Sequence, residues 1–123
     1  MQNSAEADLI RQGIELFNQG EFFACHEVLE QAWLGAHDER KFFIQGLIQI
    51  AVAFYHLRRG NTVGAERLLS AGVGKLQSNA AAQVWIESAA LLTEVAPVLR
   101  ALQAGTAACD APHPQVRLLR EHP

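Results

Sequence analysis

Cysteine is scarce: Cys25 and Cys109 are the only two in 123 residues, too few for the disulfide framework of a small secreted domain, and a reduced, cytoplasmic setting suits them. Charge is sparse and nearly balanced. Ten Lys and Arg against 13 Asp and Glu leave a net charge of −3, which gives no basic footprint for nucleic acid or for an anionic membrane surface. Long apolar runs are missing as well. The longest stretch without a charge, Phe42 to Leu57, is interrupted by Gln45, Gln49 and His56 and reads as a buried helix rather than a membrane span. The segment Met1 to Asp8 is polar and acidic, without the basic stretch and apolar run of a signal peptide, so export is not indicated. No useful length of alternating apolar and polar residues is found, which argues against strands. Three of the four prolines fall after Gly105, leaving only Pro97 among the helical patterns.

What is present is apolar residues at helical spacing. Half of the residues are hydrophobic and 19% are charged, the balance of an ordinary globular chain of a length that fits one domain. Asn3 and Glu6 form a candidate capping pair, followed by Leu9, Ile10, Gly13, Ile14 and Phe17 at i, i+3, i+4 spacing, and Asn18-Gln19-Gly20 ends that helix. A second helix is expected from about Glu21 to Leu34 with Gly35 as its stop, and a third from about Glu39 to Arg59 with Gly60 after it. Asn61 is placed to cap a fourth, whose stripe is Ala65, Leu68, Leu69, Gly72, Val73 and Leu76. A fifth segment runs from about Ala81 to Gln103, and Pro97 predicts a kink or a break there, with a short sixth helix starting at the proline. Gly20-Glu21-Phe22-Phe23-Ala24-Cys25 aligns with Gly60-Asn61-Thr62-Val63-Gly64-Ala65 forty residues on, the pattern of two successive helical hairpins. The expected fold is therefore all-α: a compact bundle of five to six helices, two hairpins plus a C-terminal helix, over residues 1–104. An extended or mobile tail follows over 105–123.

Chemistry concentrates on two helices. At 100° per residue the second helix places Phe22, Phe23, His26, Glu30 and Trp33 in one sector, with Glu27 at its border. The third places Gln45, Gln49 and His56 within about 40° of one another on an otherwise apolar helix. A buried polar stripe needs a matching stripe or a wet cavity, and His26 with Glu30 is the match available. Cys25 beside His26 is no catalytic dyad, because adjacent helical residues point about 100° apart.

These residues also carry a family likeness. Gly20 to Trp33, the run Phe43-Ile44-Gln45-Gly46-Leu47-Ile48-Gln49-Ile50-Ala51, Tyr55-His56, and Gly60-Asn61 with Gly64-Ala65 and Leu68-Leu69 resemble domain-of-unknown-function family 309 over roughly residues 5 to 100. The resemblance implies a small all-helical domain, mostly bacterial and archaeal, with no established activity. It matches the family at Phe22, His26, Glu27, Glu30, Trp33, Gln45, Gly46, Gln49, His56, Asn61 and Gly64, and gives no role to Cys25 or to the tail.

Three readings of the two stripes follow. In the first they form a polar pocket between helices two and three, built from His26, Glu27, Glu30, Gln45, Gln49 and His56 and walled by Phe22 and Trp33. That pocket would take a small polar ligand or a partner's peptide in a non-enzymatic module without a cofactor. In the second, His26, Glu30 and His56 hold a divalent metal and Glu27 or Glu30 acts as base in a hydrolase, although the second histidine of a His-Glu-x-x-His zinc motif is missing. In the third the polar groups only fix the register of the two hairpins.

Overall fold

The computed structural model describes residues 4–119 and is all-α. Six helices follow one another: α1 (Ser4–Asn18), α2 (Phe22–Gly35), α3 (Asp38–Arg58), α4 (Thr62–Gln77), α5 (Ala80–Trp85) and α6 (Ser88–Ala104). The expected cap at Asn3 lies outside the described residues. Glu6 itself is buried, at 4% exposure, and meets Arg40 of α3 with Nε donating to Oε2 at 2.6 Å. That contact pins the start of α1 to the start of α3, and the carboxylate in turn makes the Arg40 guanidinium harder to deprotonate.

The forty-residue repeat is visible in the turns. Gly20 and Gly60 adopt φ of 81° and 80°, the left-handed conformation that costs a glycine nothing. Around Gly20, the Glu21 amide donates to the Leu16 carbonyl and the Gly20 amide to Phe17; around Gly60, Asn61 donates to His56 and Gly60 to Leu57. Each is a Schellman closure, so each hairpin turns by the same device. Asn61 then caps α4, its side chain accepting from the Gly64 amide at 2.9 Å. Equivalent residues of the repeat, Cys25 with Ala65 and Leu29 with Leu69, are all buried.

The core runs between these hairpins, with Ile10, Leu29, Phe43, Ile44, Ile50, Phe54, Leu57, Leu69 and Leu76 essentially sealed from solvent. α3 and α4 approach so closely that a methyl group on Gly72 would lie 2.8 Å from the Gly46 carbonyl oxygen and 2.7 Å from Ile50 Cγ1. The buried Cys25 thiol is one of the core residues, and burial pushes its pKa up to about 12.

The break expected at Pro97 occurs elsewhere. α6 continues through Pro97, which is exposed; the carbonyl that loses its amide donor there belongs to exposed Thr93, where water can serve it. The chain turns instead at Ile86 and Glu87, between α5 and α6. Trp85 and Ile86 are both buried at that corner. Two of its backbone groups pair with the C-terminal segment: the Glu87 amide donates to the Arg117 carbonyl at 2.9 Å and the Leu119 amide to the Trp85 carbonyl at 3.0 Å. The single Ile86–Leu118 bridge is antiparallel. Residues 105–119 form no further helix and lie back across the bundle, with Pro114 and Val116 buried.

Candidate functional site

α2 and α3 run antiparallel, joined by a short connection at Ala36 and His37. Their register is set by aromatic contacts. The Phe22 ring stacks on Phe54 with centroids 5.6 Å apart, Phe23 lies 5.5 Å from Tyr55, and at the other end the Lys41 ammonium sits 4.1 Å over the Trp33 ring. Where the helices diverge, a cleft of about 230 Å³ opens, lined by Phe22, Phe23 and His26 of α2 and by Val52, Tyr55 and His56 of α3. The spacing explains the membership: residues 22, 23 and 26, and residues 52, 55 and 56, each occupy one helical turn and hence one face.

Two imidazoles are therefore the polar groups in a mainly apolar cleft. His26 is 26% exposed at its side chain, and its Nε2 lies 3.8 Å from Glu30 Oε2, too long for a hydrogen bond. The other ring nitrogen, Nδ1, is buried without a hydrogen-bond partner among the described residues. The His56 Nδ1 stands 3.4 Å from the Asn61 side-chain nitrogen. With the amide donating, Nδ1 accepts and the ring proton sits on Nε2. The Phe23 ring leans on His26, with centroids 5.6 Å apart, yet is itself 52% exposed. The guanidinium of Arg59 covers Tyr55, and that of Arg58 covers Phe22 and Phe54.

Of the residues expected to form a pocket, the cleft unites Phe22, His26 and His56. Glu27, Glu30, Trp33, Gln45 and Gln49 do not line it. Glu27 is exposed and the Glu30 side chain is 58% exposed, both at the solvent edge of α2. Trp33, Gln45 and Gln49 are half-buried, and Trp33 Nε1 and Gln49 Oε1 are buried with no hydrogen-bond partner among the described residues. Among the described residues, no group of three or more His, Cys, Asp or Glu converges to hold a metal, so His26, Glu30 and His56 do not assemble as a ligand set. Val52 and Tyr55 were not picked out from the sequence. The signal for them was present in the i, i+3, i+4 spacing of 52, 55 and 56, but it is hidden in a run that is apolar throughout.

No helix among the described residues is long and apolar enough to cross a membrane. Residues 10–68 match the family described as "Domain of unknown function (DUF309)". The likeness read from the motifs is thus borne out, over a shorter span than the residues 5 to 100 expected. The uncharacterized protein YpuF of Bacillus subtilis (strain 168) is 42% identical over 66 residues, which are 53% of this chain and 38% of the relative. An uncharacterized protein of Aquifex aeolicus (strain VF5) is 37% identical over 59 residues, 47% of this chain and 18% of the relative. The chain therefore spans well under half the length of these curated relatives. Every residue that lines the cleft lies inside the matched region, whereas α5, α6 and the C-terminal segment lie outside it.

Proposed function

We propose, taking the family domain of residues 10–68 as the premise, that this protein is a non-enzymatic binding module. In this reading the α2–α3 cleft takes one small group that is apolar in body and carries a hydrogen-bonding function. The observation that carries the reading is that His26 of α2 and His56 of α3 line one cleft whose other walls are Phe22, Phe23, Val52 and Tyr55. Its volume of about 230 Å³ falls below the roughly 300–1,000 Å³ of drug-sized sites, which suits a single aromatic or aliphatic side chain of a partner, or a metabolite of that size. Apolar walls supply affinity by releasing water from Phe23 and Tyr55, and the imidazoles supply orientation, one through a donor on Nε2 of His56.

A purely structural network is the weaker reading. Groups retained only to fix register are expected to satisfy one another, and His26 Nδ1, Gln49 Oε1 and Trp33 Nε1 do not. Titration of the labelled protein with millimolar phenol, indole and isobutanol, followed by ¹H–¹⁵N correlation spectra, tests the reading. The expected result is saturable shifts confined to residues around 22–26 and 52–56, lost in His26→Ala, whose spectrum otherwise matches the parent. Shifts scattered over the surface, or none at any concentration, would overturn it.

A further inference from the structure

The C-terminal segment is held in a manner that does not depend on its own sequence alone. Asn18, at the end of α1, uses its side-chain amide as a peptide mimic: Nδ2 donates to the Val116 carbonyl at 2.9 Å, and Oδ1 accepts from the Val116 amide at 2.7 Å. Two residues further on, the α5–α6 corner pairs with Arg117 and Leu119 through backbone groups, in antiparallel fashion. Glu94 of α6 accepts from the Gln115 amide at 3.1 Å and pairs with Arg117 at 3.1 Å. Five of these contacts read only the segment's main chain, the hallmark of peptide capture by strand addition.

Two side chains of the segment are seated against the helices' aromatic and aliphatic core. Val116, at 4% exposure, closes over Ile14, Phe17, Cys25, Leu29, Leu47 and Ile50, beside a void of about 10 Å³. Three residues earlier, the His113 ring stands edge-on to Phe17 and Phe22, with centroids 5.7 and 5.1 Å away, and Nε2 is 3.3 Å from the Asn18 carbonyl. Between α6 and these seats, residues 105–110 are exposed apart from half-buried Ala107, with the Cys109 carbonyl accepting from Arg58. The seated segment is thus tied to the bundle by a lightly held tether.

The geometry points to a second recognition surface: the groove formed by the end of α1, the start of α2 and the α5–α6 corner is a docking site for an extended peptide of a partner protein. The chain's own residues 111–119 occupy it as an intramolecular competitor. The partner it fits carries an imidazole or aromatic ring three residues before a β-branched aliphatic residue that a basic residue follows, the chemistry of the segment now seated there. This surface is separate from the α2–α3 cleft and shares only the Phe22 ring with it. Because a tethered competitor acts at an effective concentration on the order of millimolar, a free peptide binds the intact protein weakly, and loosening the tether's latch reveals the affinity.

The test uses the full chain and a fluorescein-labelled synthetic peptide of residues 110–119, read by fluorescence anisotropy. Val116→Ser in the protein weakens its own segment while leaving the groove intact. The expected result is at least tenfold tighter peptide binding by the Val116→Ser chain than by the parent, lost when Asn18→Ala is added or when the peptide itself carries the Val116→Ser change. Arg117→Ala, an exposed change on the segment itself that removes the partner of Glu94 without touching the groove or the core, serves if Val116→Ser unfolds. It is expected to tighten binding severalfold. Equal binding by parent and folded variants would overturn the proposal. Concentration-dependent dimers of the parent by sedimentation that vanish in Val116→Ser would overturn it too, by assigning the groove to the tail of a second copy.

Discussion

Two glycines one helical half-turn apart in α4 respond in opposite directions to the same substitution. At Gly72 an added methyl group would meet Ile50 Cγ1 at 2.7 Å, the Gly46 carbonyl oxygen at 2.8 Å and the Ile50 amide nitrogen at 3.2 Å. Two of those three atoms are backbone, and Ile50 is sealed in the core, so α3 and α4 have to separate. Overpacking of this kind costs about 3 kcal/mol at the upper end of its usual range, and the gain in helix propensity from Gly to Ala returns about 1 kcal/mol. Gly72→Ala is therefore expected to destabilise by about 2 kcal/mol. At Gly74 an added methyl group has nothing within 4 Å, and the position is exposed in the last turn of α4, where the propensity gain is somewhat smaller than at mid-helix. Gly74→Ala keeps the propensity gain alone, about 0.7 kcal/mol of stabilisation. At roughly 4 °C per kcal/mol for a chain of this size, thermal melts by circular dichroism are expected to place the two variants about 8 °C below and about 3 °C above the parent. A Gly72→Ala protein as stable as its parent would refute the close crossing of α3 and α4.

The buried Cys25 thiol gives a pH dependence. Its pKa is raised from 9.0 to about 12 by burial, so the unfolded chain releases this proton above pH 9 while the folded one keeps it. Stability is then full below pH 9 and declines between pH 9 and 12, by about 1.4 kcal/mol at pH 10. Comparing urea midpoints at pH 7 and pH 10 is expected to show this loss in the parent and not in Cys25→Ala. At neutral pH a thiol reagent is expected to label exposed Cys109 and spare Cys25 until the protein unfolds. Arg40→Met removes the guanidinium from the buried Glu6 carboxylate and is expected to cost about 2 kcal/mol, below the 3–5 kcal/mol of fully buried pairs because Arg40 is itself a third exposed; the double variant Glu6→Leu/Arg40→Met is expected to recover part of it, as urea denaturation would measure. Asn61→Ala removes the cap on the Gly64 amide and is expected to cost about 1 kcal/mol in the same assay.

The hairpins were legible because their signals are local. Each needs only a glycine that permits positive φ and apolar residues at i, i+3, i+4, and the chain presents both at Gly20 and again at Gly60. The corner at Ile86–Glu87 was not legible, since its backbone pairs with Arg117 and Leu119, some thirty residues away in sequence, and Pro97 offered a more conspicuous but tolerable irregularity. His113 went unassigned for the same reason: its partners Phe17, Phe22 and Phe54 come from three different helices. At the cleft, the two imidazoles stood out in the sequence as polar groups on apolar faces. Their neighbours Val52 and Tyr55 did not, because the point where two helices diverge is fixed by ring contacts at Phe22–Phe54 and Phe23–Tyr55, and periodicity along one helix carries no information about it.

Asn18 and Val116 are 98 positions apart, while the hairpin contacts join near neighbours. A ribosome finishes both hairpins before it makes the residue that lids them, and at about 5–20 residues per second the interval between Gln77 and Val116 lasts several seconds. During that time the oily floor of Ile14, Phe17, Leu29 and Ile50 faces water or a chaperone. Only the arrival of Val116 closes it over.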